Sequence, residues 1–314
     1  MLSQQKKILI IGGNGFIGSH LSDLFIQMNL SVCILDKYPV KQKHFLKNID
    51  YRIGDYADTQ FLDLALDGCD TVINLACSTV PATSNDNCSF DLKSNLIPSV
   101  KLLDLMIKNK CKKIIFLSSG GAVYGNPLSI PTSEESCVRP ISSYGIVKAT
   151  IEQYIELYHK SKGLKSLIIR PSNLYGIRQG SSGVQGLINT LMDNILFKKE
   201  SIVWGDGTSV RDYIYIKDLI DFVKIAIEQD AVGVFNIGSG TGYSVNEIIH
   251  LVSTITKNEI KVNYNAPRLF DVERIVLDIK KASLQLGWSP KTPIQEGILQ
   301  MWEQKIEAYK TNQL

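Results

Sequence analysis

A chain of 314 residues and 35.0 kDa can form one large domain or two ordinary ones around a substantial buried core. Hydrophobic residues at 44% and charged residues at 21% exclude a disordered chain, and 34 Lys+Arg against 31 Asp+Glu exclude the basic excess of a non-specific nucleic-acid binder. The longest early apolar run, Ile8 to Ile11, is too short for a membrane span or a signal-peptide core, so no membrane partner is expected and the cytoplasm is the expected location.

In chain order, Lys7–Ile11 reads as a strand buried on both faces, and Phe16–Met28 as a helix with Ile17, Leu21, Leu24, Phe25 and Met28 on one side. Ser31–Leu35, Thr71–Leu75, Lys113–Leu117 and Leu167–Ile169 repeat the strand theme, while Asn95–Lys108 and Tyr144–His159 carry helical patterns. This alternation predicts an α/β fold with a parallel sheet and helices on both faces. After Pro171 the rhythm changes. Residues 176–184, rich in Gly and Ser, read as a loop, Gly186–Phe197 as a helix, Val203–Gly207 as a strand and turn, and Val234–Ile237 as a strand before the turn Gly238–Gly242. The expected division is 1–171, with 212–237 crossing back to it, and a smaller C-terminal α/β substrate lobe of 172–211 and 238–314.

Between the first strand and first helix lies Gly12-Gly13-Asn14-Gly15-Phe16-Ile17-Gly18. Glycines there permit a tight turn, close approach of a pyrophosphate to the backbone and close packing of helix on strand. The free N–H groups of the helix start face the phosphates. Asp36 ends the second strand, where a carboxylate binds both ribose hydroxyls of NAD and repels the extra phosphate of NADP, although Lys37 beside it weakens the contrast. The expected fold is a Rossmann-type doubly wound sheet with NAD as cofactor. Cys33, Cys69, Cys77, Cys88, Cys111 and Cys137 form no Cys-x-x-Cys pair, and with four His they argue for reduced thiols and no metal site.

Tyr144-x-x-x-Lys148 places a phenol and an ammonium on one helix face. A neighbouring ammonium and a positive nicotinamide ring would lower the tyrosine pKa, so that phenolate takes a proton from a substrate hydroxyl while hydride leaves the same carbon.

These residues occur in order with Gly54-Asp55, Asn74-Leu75-Ala76, Ser118-Ser119-Gly120-Gly121-Ala122-Val123-Tyr124-Gly125, Arg170-Pro171-Ser172-Asn173-Leu174-Tyr175-Gly176, Val210-Arg211-Asp212-Tyr213 and Leu286-Gly287-Trp288. Over nearly its whole length the chain resembles the extended short-chain dehydrogenases/reductases of the nucleotide-sugar epimerase/dehydratase family, nearest the UDP-glucose 4-epimerase branch. The resemblance implies that Gly12, Gly15, Phe16, Ile17, Gly18, Asp36, Asp55 (on the adenine amine), Leu75, Ala76 and Asn95 bind the cofactor, and that Lys148 holds the nicotinamide ribose. It implies that Asn173 touches the sugar or its diphosphate, that Arg211 and Arg268 grip the diphosphate, and that Ile202–Gly205, with Trp204, flank the base. Ile275 falls where the epimerases gate the carbon 2 substituent, and its middling size implies some tolerance of N-acetyl groups. A homodimer is implied through Asn95–Lys108 and Tyr144–His159, with polysaccharide biosynthesis as the setting.

Many members carry a hydroxyl four residues before the Tyr of Val-Tyr-Gly. Here Gly120 stands there, so Ser119 is expected to bridge substrate and Tyr144. Gly120, Gly121 and Ala122 lack the acids of a dehydratase, and Glu134 and Glu135 read as solvated charges. Three functions are weighed: a 4-epimerase of UDP-glucose/galactose or their N-acetyl forms, an NAD(P)H-dependent reductase of a 4-keto-6-deoxy nucleotide sugar, and a non-catalytic NAD(H)-binding sensor or scaffold.

Overall fold

The computed structural model describes residues 7–40, 45–180, 186–268 and 270–311, so part of the expected loop 176–184 lies outside the described residues. The strands in chain order are β1 (Lys7–Ile11), β2 (Ser31–Asp36), β3 (Ile49–Ile53), β4 (Thr71–Asn74), β5 (Lys113–Leu117), β6 (Lys165–Pro171) and β7 (Asn173–Tyr175). They continue as β8 (Ser201–Trp204), β9 (Val210–Tyr215), β10 (Gly233–Ile237), β11 (Gly242–Ser244), β12 (Val262–Asn265) and β13 (Arg274–Ile275).

The chain divides into two compact units. The first comprises the described residues up to Ser119 with Ser142–Ile169 and Ala226–Phe235. Its strands belong to a seven-stranded sheet in the order β10-β6-β5-β4-β1-β2-β3, with β1 paired in parallel to both β2 and β4. The order reverses at β1, and in such sheets ligands bind outside the carboxyl ends of the strands at that reversal. Parallel strands covered on both faces read as continuous apolar runs. Accordingly Leu9, Ile11, Cys33, Leu35, Val72, Ile114 and Phe116 share one buried cluster with Leu102, Met106, Ile151 and Ile155 from the helices Ile97–Lys108 and Ser143–Lys162. The latter helix starts where Ser142 accepts a bond from the Gly145 N–H and stops at Gly163, whose φ of 71° suits a residue without a side chain.

Elements of this unit that were not anticipated include β3, the helix Thr59–Leu66 and the short helical turns between Pro81 and Leu96. β3 is an edge strand of sequence Ile-Asp-Tyr-Arg-Ile, and its charges, with Arg52 bonded to Asp50, masked the apolar pattern.

The second unit comprises Gly120–Ile141, Arg170–Ile225 and the described residues from Asn236 onward. β9 pairs in parallel with β7 and β13 and antiparallel with β11, and β12 pairs with β8. Helices Leu187–Leu196, Val245–Thr256 and Ile294–Lys310 pack on one another. The expected boundaries of 1–171 and 212–237 are corrected here. Residues 120–141 join the second unit because Thr132 bridges Leu277 and the Thr132 carbonyl accepts from Asn236. Asp212 lies in β9, which pairs only within the second unit, so the return to the first unit begins at Ala226. With those segments added, the second unit is no smaller than the first.

Candidate active site

In the first unit, the turn after β1 carries the glycines. Gly12 adopts φ 79°, a left-handed conformation, and a side chain there would press on the Ala76 backbone at 3.2 Å. Gly18 lies so close to Gly13 that a Cβ would sit 2.5 Å from the Gly13 Cα. The helix Phe16–Gln27 begins at Gly15 with no side-chain cap and no acid in its first turn. Its N–H groups and partial positive charge remain available to phosphate. Asp36 is oriented by two backbone donors, Asn14 N–H at 2.9 Å and Tyr38 N–H at 3.0 Å. Lys37 turns instead toward Asp55, 3.4 Å away on the exposed surface, and Asp55 also accepts from the Ala57 N–H. Leu75 N–H bonds Ile11 O, and Ala76 N–H bonds the Asn74 side chain, so both backbones are fixed beside the glycine turn.

Among the described residues of this unit, the buried side-chain atoms Asn14 Oδ1, Asn74 Nδ2 and Ser118 Oγ have no hydrogen-bond partner. They stand after or at the carboxyl ends of β1, β4 and β5, which are neighbours in the sheet. Buried polar atoms of this kind call for a polar ligand. Together with the glycine turn, the uncapped helix and Asp36, these residues fit a dinucleotide.

Tyr144 and Lys148 share the first turns of the helix Ser143–Lys162. Lys148 is buried, donates to Leu117 O at 2.8 Å, and lies 4.8 Å from the Phe116 ring centroid and 5.7 Å from that of Tyr144. The Ser119 hydroxyl is the neighbour that favours the Tyr144 phenolate. Burial pushes the Tyr144 phenol well up from its ordinary range, with Cys77 and Asp91 adding to the rise and the Ser119 hydroxyl opposing it. The lowering expected from Lys148 together with a bound nicotinamide ring concerns the loaded site; in the protein's own surroundings burial dominates, and the ammonium is bonded to a carbonyl. Asn95 is almost fully buried, and its amide is committed to the protein. Its Oδ1 accepts from Ser78 N–H at 2.8 Å, and its Nδ2 donates to Asp91 and Thr79.

The second unit holds the other expected residues. Arg211 donates to the Val210 and Glu273 carbonyls, and burial lowers its pKa. Ile275, 2% exposed, is register partner of Arg211 across the parallel pair β13–β9. The Arg268 guanidinium stacks 4.1 Å from the centroid of the Trp204 ring, which is 42% exposed. Neither arginine forms an ion pair with a carboxylate among the described residues. Asn173 opens β7, and its Oδ1 would lie 3.2 Å from a Cβ on Gly121. A Cβ on Gly120 would meet Leu277 at 2.7 Å and the Arg170 carbonyl at 3.0 Å, which explains why no hydroxyl-bearing residue stands there.

Glu134 departs from its expected role as a solvated charge. Its carboxylate accepts the Asn236 N–H at 2.8 Å, the Asn236 side chain accepts from the Tyr124 hydroxyl, and Tyr124 in turn accepts from Arg170. The Tyr of Val-Tyr-Gly and the Arg of Arg-Pro thus belong to a structural network. Sequence reasoning also missed Cys77, Thr79, Asp91 and Ser143. The one available signal was Asp91 standing four residues before Asn95, a helical spacing that brings two polar side chains together.

A seven-stranded sheet of this order, with a glycine turn after β1 and a Tyr–Lys pair on one helix, defines an extended short-chain dehydrogenase/reductase. The chain belongs to the NAD dependent epimerase/dehydratase family, whose model matches residues 8–238. It is 35% identical to a UDP-glucose 4-epimerase of Thermotoga maritima solved with UDP-glucose, with a TM-score of 0.90 over 96% of this chain and 99% of that one. It is 30% identical over 302 residues to the UDP-glucose 4-epimerase of Mycolicibacterium smegmatis, covering 93% of this chain and 96% of that protein. It is also 30% identical to a dTDP-4-dehydro-6-deoxyglucose reductase of Escherichia coli, covering 95% and 97%. Among the described residues no helix is long and apolar enough to cross a membrane.

Proposed function

We propose that the protein is an NAD-dependent nucleotide-sugar 4-epimerase that acts by transient oxidation at carbon 4. The observation that carries the reading is the Tyr144–Lys148 pair on one helix, with the ammonium 5.7 Å from the phenol ring centroid, in the unit that holds the glycine turn. When bound, NAD supplies the acceptor and donor of hydride. Tyr144 takes the proton of the carbon 4 hydroxyl and returns it after the keto-sugar has turned over. Ser119 passes hydrogen bonding between that hydroxyl and the phenol. Lys148 holds the nicotinamide ribose and adds positive charge near a phenol that burial otherwise keeps protonated. Gly12, Gly15, Phe16, Ile17 and Gly18 cradle the pyrophosphate, Asp36 the ribose, Asp55 the adenine amine, and Leu75 and Ala76 the adenosine. Asn95 supports this site through the Ser78 backbone.

In the second unit, Arg211 and Arg268, which form no ion pair with a carboxylate among the described residues, serve the diphosphate, where guanidinium geometry suits paired oxygens. Trp204 flanks the base, Asn173 contacts the sugar or diphosphate, and Ile275 limits the carbon 2 substituent. UDP-glucose and UDP-galactose are the leading pair, with N-acetyl forms admitted. The protein acts as a homodimer, a reading supported by exposed Ile97 on one helix and Ile146, Tyr154 and Leu157 on the tyrosine helix. The six free cysteines support a cytosolic setting.

The test uses purified protein with no added cofactor, incubated with UDP-glucose, UDP-galactose and their N-acetyl forms, and denatured in parallel to identify any released dinucleotide. Released NAD with interconversion of a 4-epimer pair is the expected result. No interconversion, with NAD(P)H oxidised on a 4-keto-6-deoxy nucleotide sugar, would instead establish the reductase.

A further inference from the structure

The first turn of the tyrosine helix is held by a polar cluster that no step of the proposed reaction uses. Asp91 is fully buried, with 0% exposure. Its Oδ1 accepts from the Thr79 hydroxyl at 2.7 Å and from Asn95 Nδ2 at 2.8 Å, and its Oδ2 accepts from the Ser143 hydroxyl at 2.7 Å. No lysine or arginine pairs with it among the described residues. A carboxylate taken out of water without a cation needs its lone pairs filled by well-placed donors, and here three neutral donors converge on it. The donors come from three places: the segment after β4, the π-helical turn Leu92–Leu96 that carries Asn95, and the residue immediately before Tyr144. Single π turns inside helices widen the backbone locally and recur at functional sites. The same stretch supplies two more tethers. Asn85 Oδ1 accepts the Ser143 N–H at 2.8 Å, and Ser84 Oγ accepts the Tyr144 N–H at 3.1 Å. These N–H groups are the orphans of a helix start, so both ends of the peptide that carries Tyr144 are fixed by side chains from residues 84–91.

We propose that Asp91 is a positioning residue for the reaction: by gathering Thr79, Asn95 and Ser143 it fixes the start of the tyrosine helix and holds the Tyr144 phenol where Ser119 and Lys148 can serve it. The inference rests on the reading of Tyr144 as the proton-transferring group. The ionisable groups around the phenol are Asp91, the Cys77 thiol and Lys148, with the Ser119 hydroxyl also acting on it. Asp91 and the phenolate would carry like charges, so its negative charge holds the phenol protonated to higher pH.

The experiment compares wild type, Asp91→Asn and Ser143→Ala as NAD-loaded enzymes. It measures kcat and KM for UDP-galactose, the pH profile of kcat, and the melting temperature. Asp91→Asn should lose kcat by roughly 10- to 100-fold with KM little changed, the scale expected for a misplaced reacting group. Its acid limb should also move to lower pH, because a like charge has been removed. Ser143→Ala removes one donor and keeps the charge, so its kcat should fall while the acid limb stays in place. A purely structural cluster would lower the melting temperature and leave the acid limb of the folded fraction unmoved in both variants, which would overturn the proposal. So would full kcat in Ser143→Ala, which decides the matter if Asp91→Asn does not fold. A wild-type enzyme that does not interconvert UDP-galactose and UDP-glucose, N-acetyl forms included, would count against the epimerase reading instead, and tyrosinate absorbance on titration would still report whether Asp91 acts on Tyr144.

Discussion

At the scale of single residues, the chemistry is assigned to one phenol, one hydroxyl and one ammonium. Replacing Tyr144 by Phe removes the proton acceptor while preserving the ring, so turnover should fall by about 10²- to 10⁴-fold with NAD content unchanged, as read by progress curves and by the dinucleotide released on denaturation. Ser119→Ala removes the hydroxyl proposed to bridge substrate and phenol, and a loss of roughly 10- to 100-fold is expected. Gly120→Ser, which places a hydroxyl where the family resemblance implies one, is expected to harm rather than help. Its Cβ must push against Leu277 and the Arg170 carbonyl, and a destabilisation of about 1–3 kcal/mol should appear in urea unfolding. The glycine turn, Asp36, Tyr144 and Lys148 were legible in the sequence because each needs a residue type at a spacing set by local geometry. Asp91, Thr79 and Ser143 were not, since their meeting depends on tertiary contacts. The fate of Glu134 was hidden for the same reason: nothing local in a Pro/Ser-rich stretch shows that it accepts the Asn236 N–H.

At the scale of elements, the central strands were readable as short apolar runs, whereas the edge strand β3 was not, because an edge tolerates Asp50 and Arg52. The ends of the sheet opposite the glycine turn carry a charge clip. Asp230, just before β10, accepts from Lys113 at the start of β5 at 2.9 Å and from Lys165 at the start of β6 at 2.6 Å. Those bonds lower its carboxyl from the ordinary 3.8 to about 2. A carboxyl lowered in the folded state contributes stability that is fully present above the unfolded value and is lost as pH falls through the folded one. The melting temperatures of wild type and Asp230→Asn should therefore differ at pH 7 and converge between about pH 4 and pH 2. A gap that stays constant down to the lowest pH at which both proteins fold would show that the clip contributes through packing rather than charge. Turnover should be the same in both, since the clip lies at the opposite ends of the strands from the glycine turn.

At the scale of the whole molecule, the alternation of strand and helix in the first half was enough to define the inner strands of a parallel sheet, while the course of the chain through the second unit was not legible. Residues 120–141 and β9 are committed by long-range pairings, Thr132 with Leu277 and β9 with β7, β11 and β13, which carry no local signature. The homodimer reading predicts a light-scattering mass of twice the 35.0 kDa chain, and Ile146→Glu with Leu157→Glu should shift it toward the monomer. A wild-type mass equal to one chain at high concentration would remove that reading and leave the active-site account standing. The central claim is that carbon 4 is oxidised and reduced again within one bound cycle. The most direct test is epimerisation of UDP-galactose deuterated at carbon 4, followed by mass and NMR analysis of the product. The account predicts that deuterium remains at carbon 4 of the UDP-glucose formed, with no exchange against solvent. Loss of the label to water, or its retention at an unchanged galactose centre while keto-sugar accumulates, would contradict it.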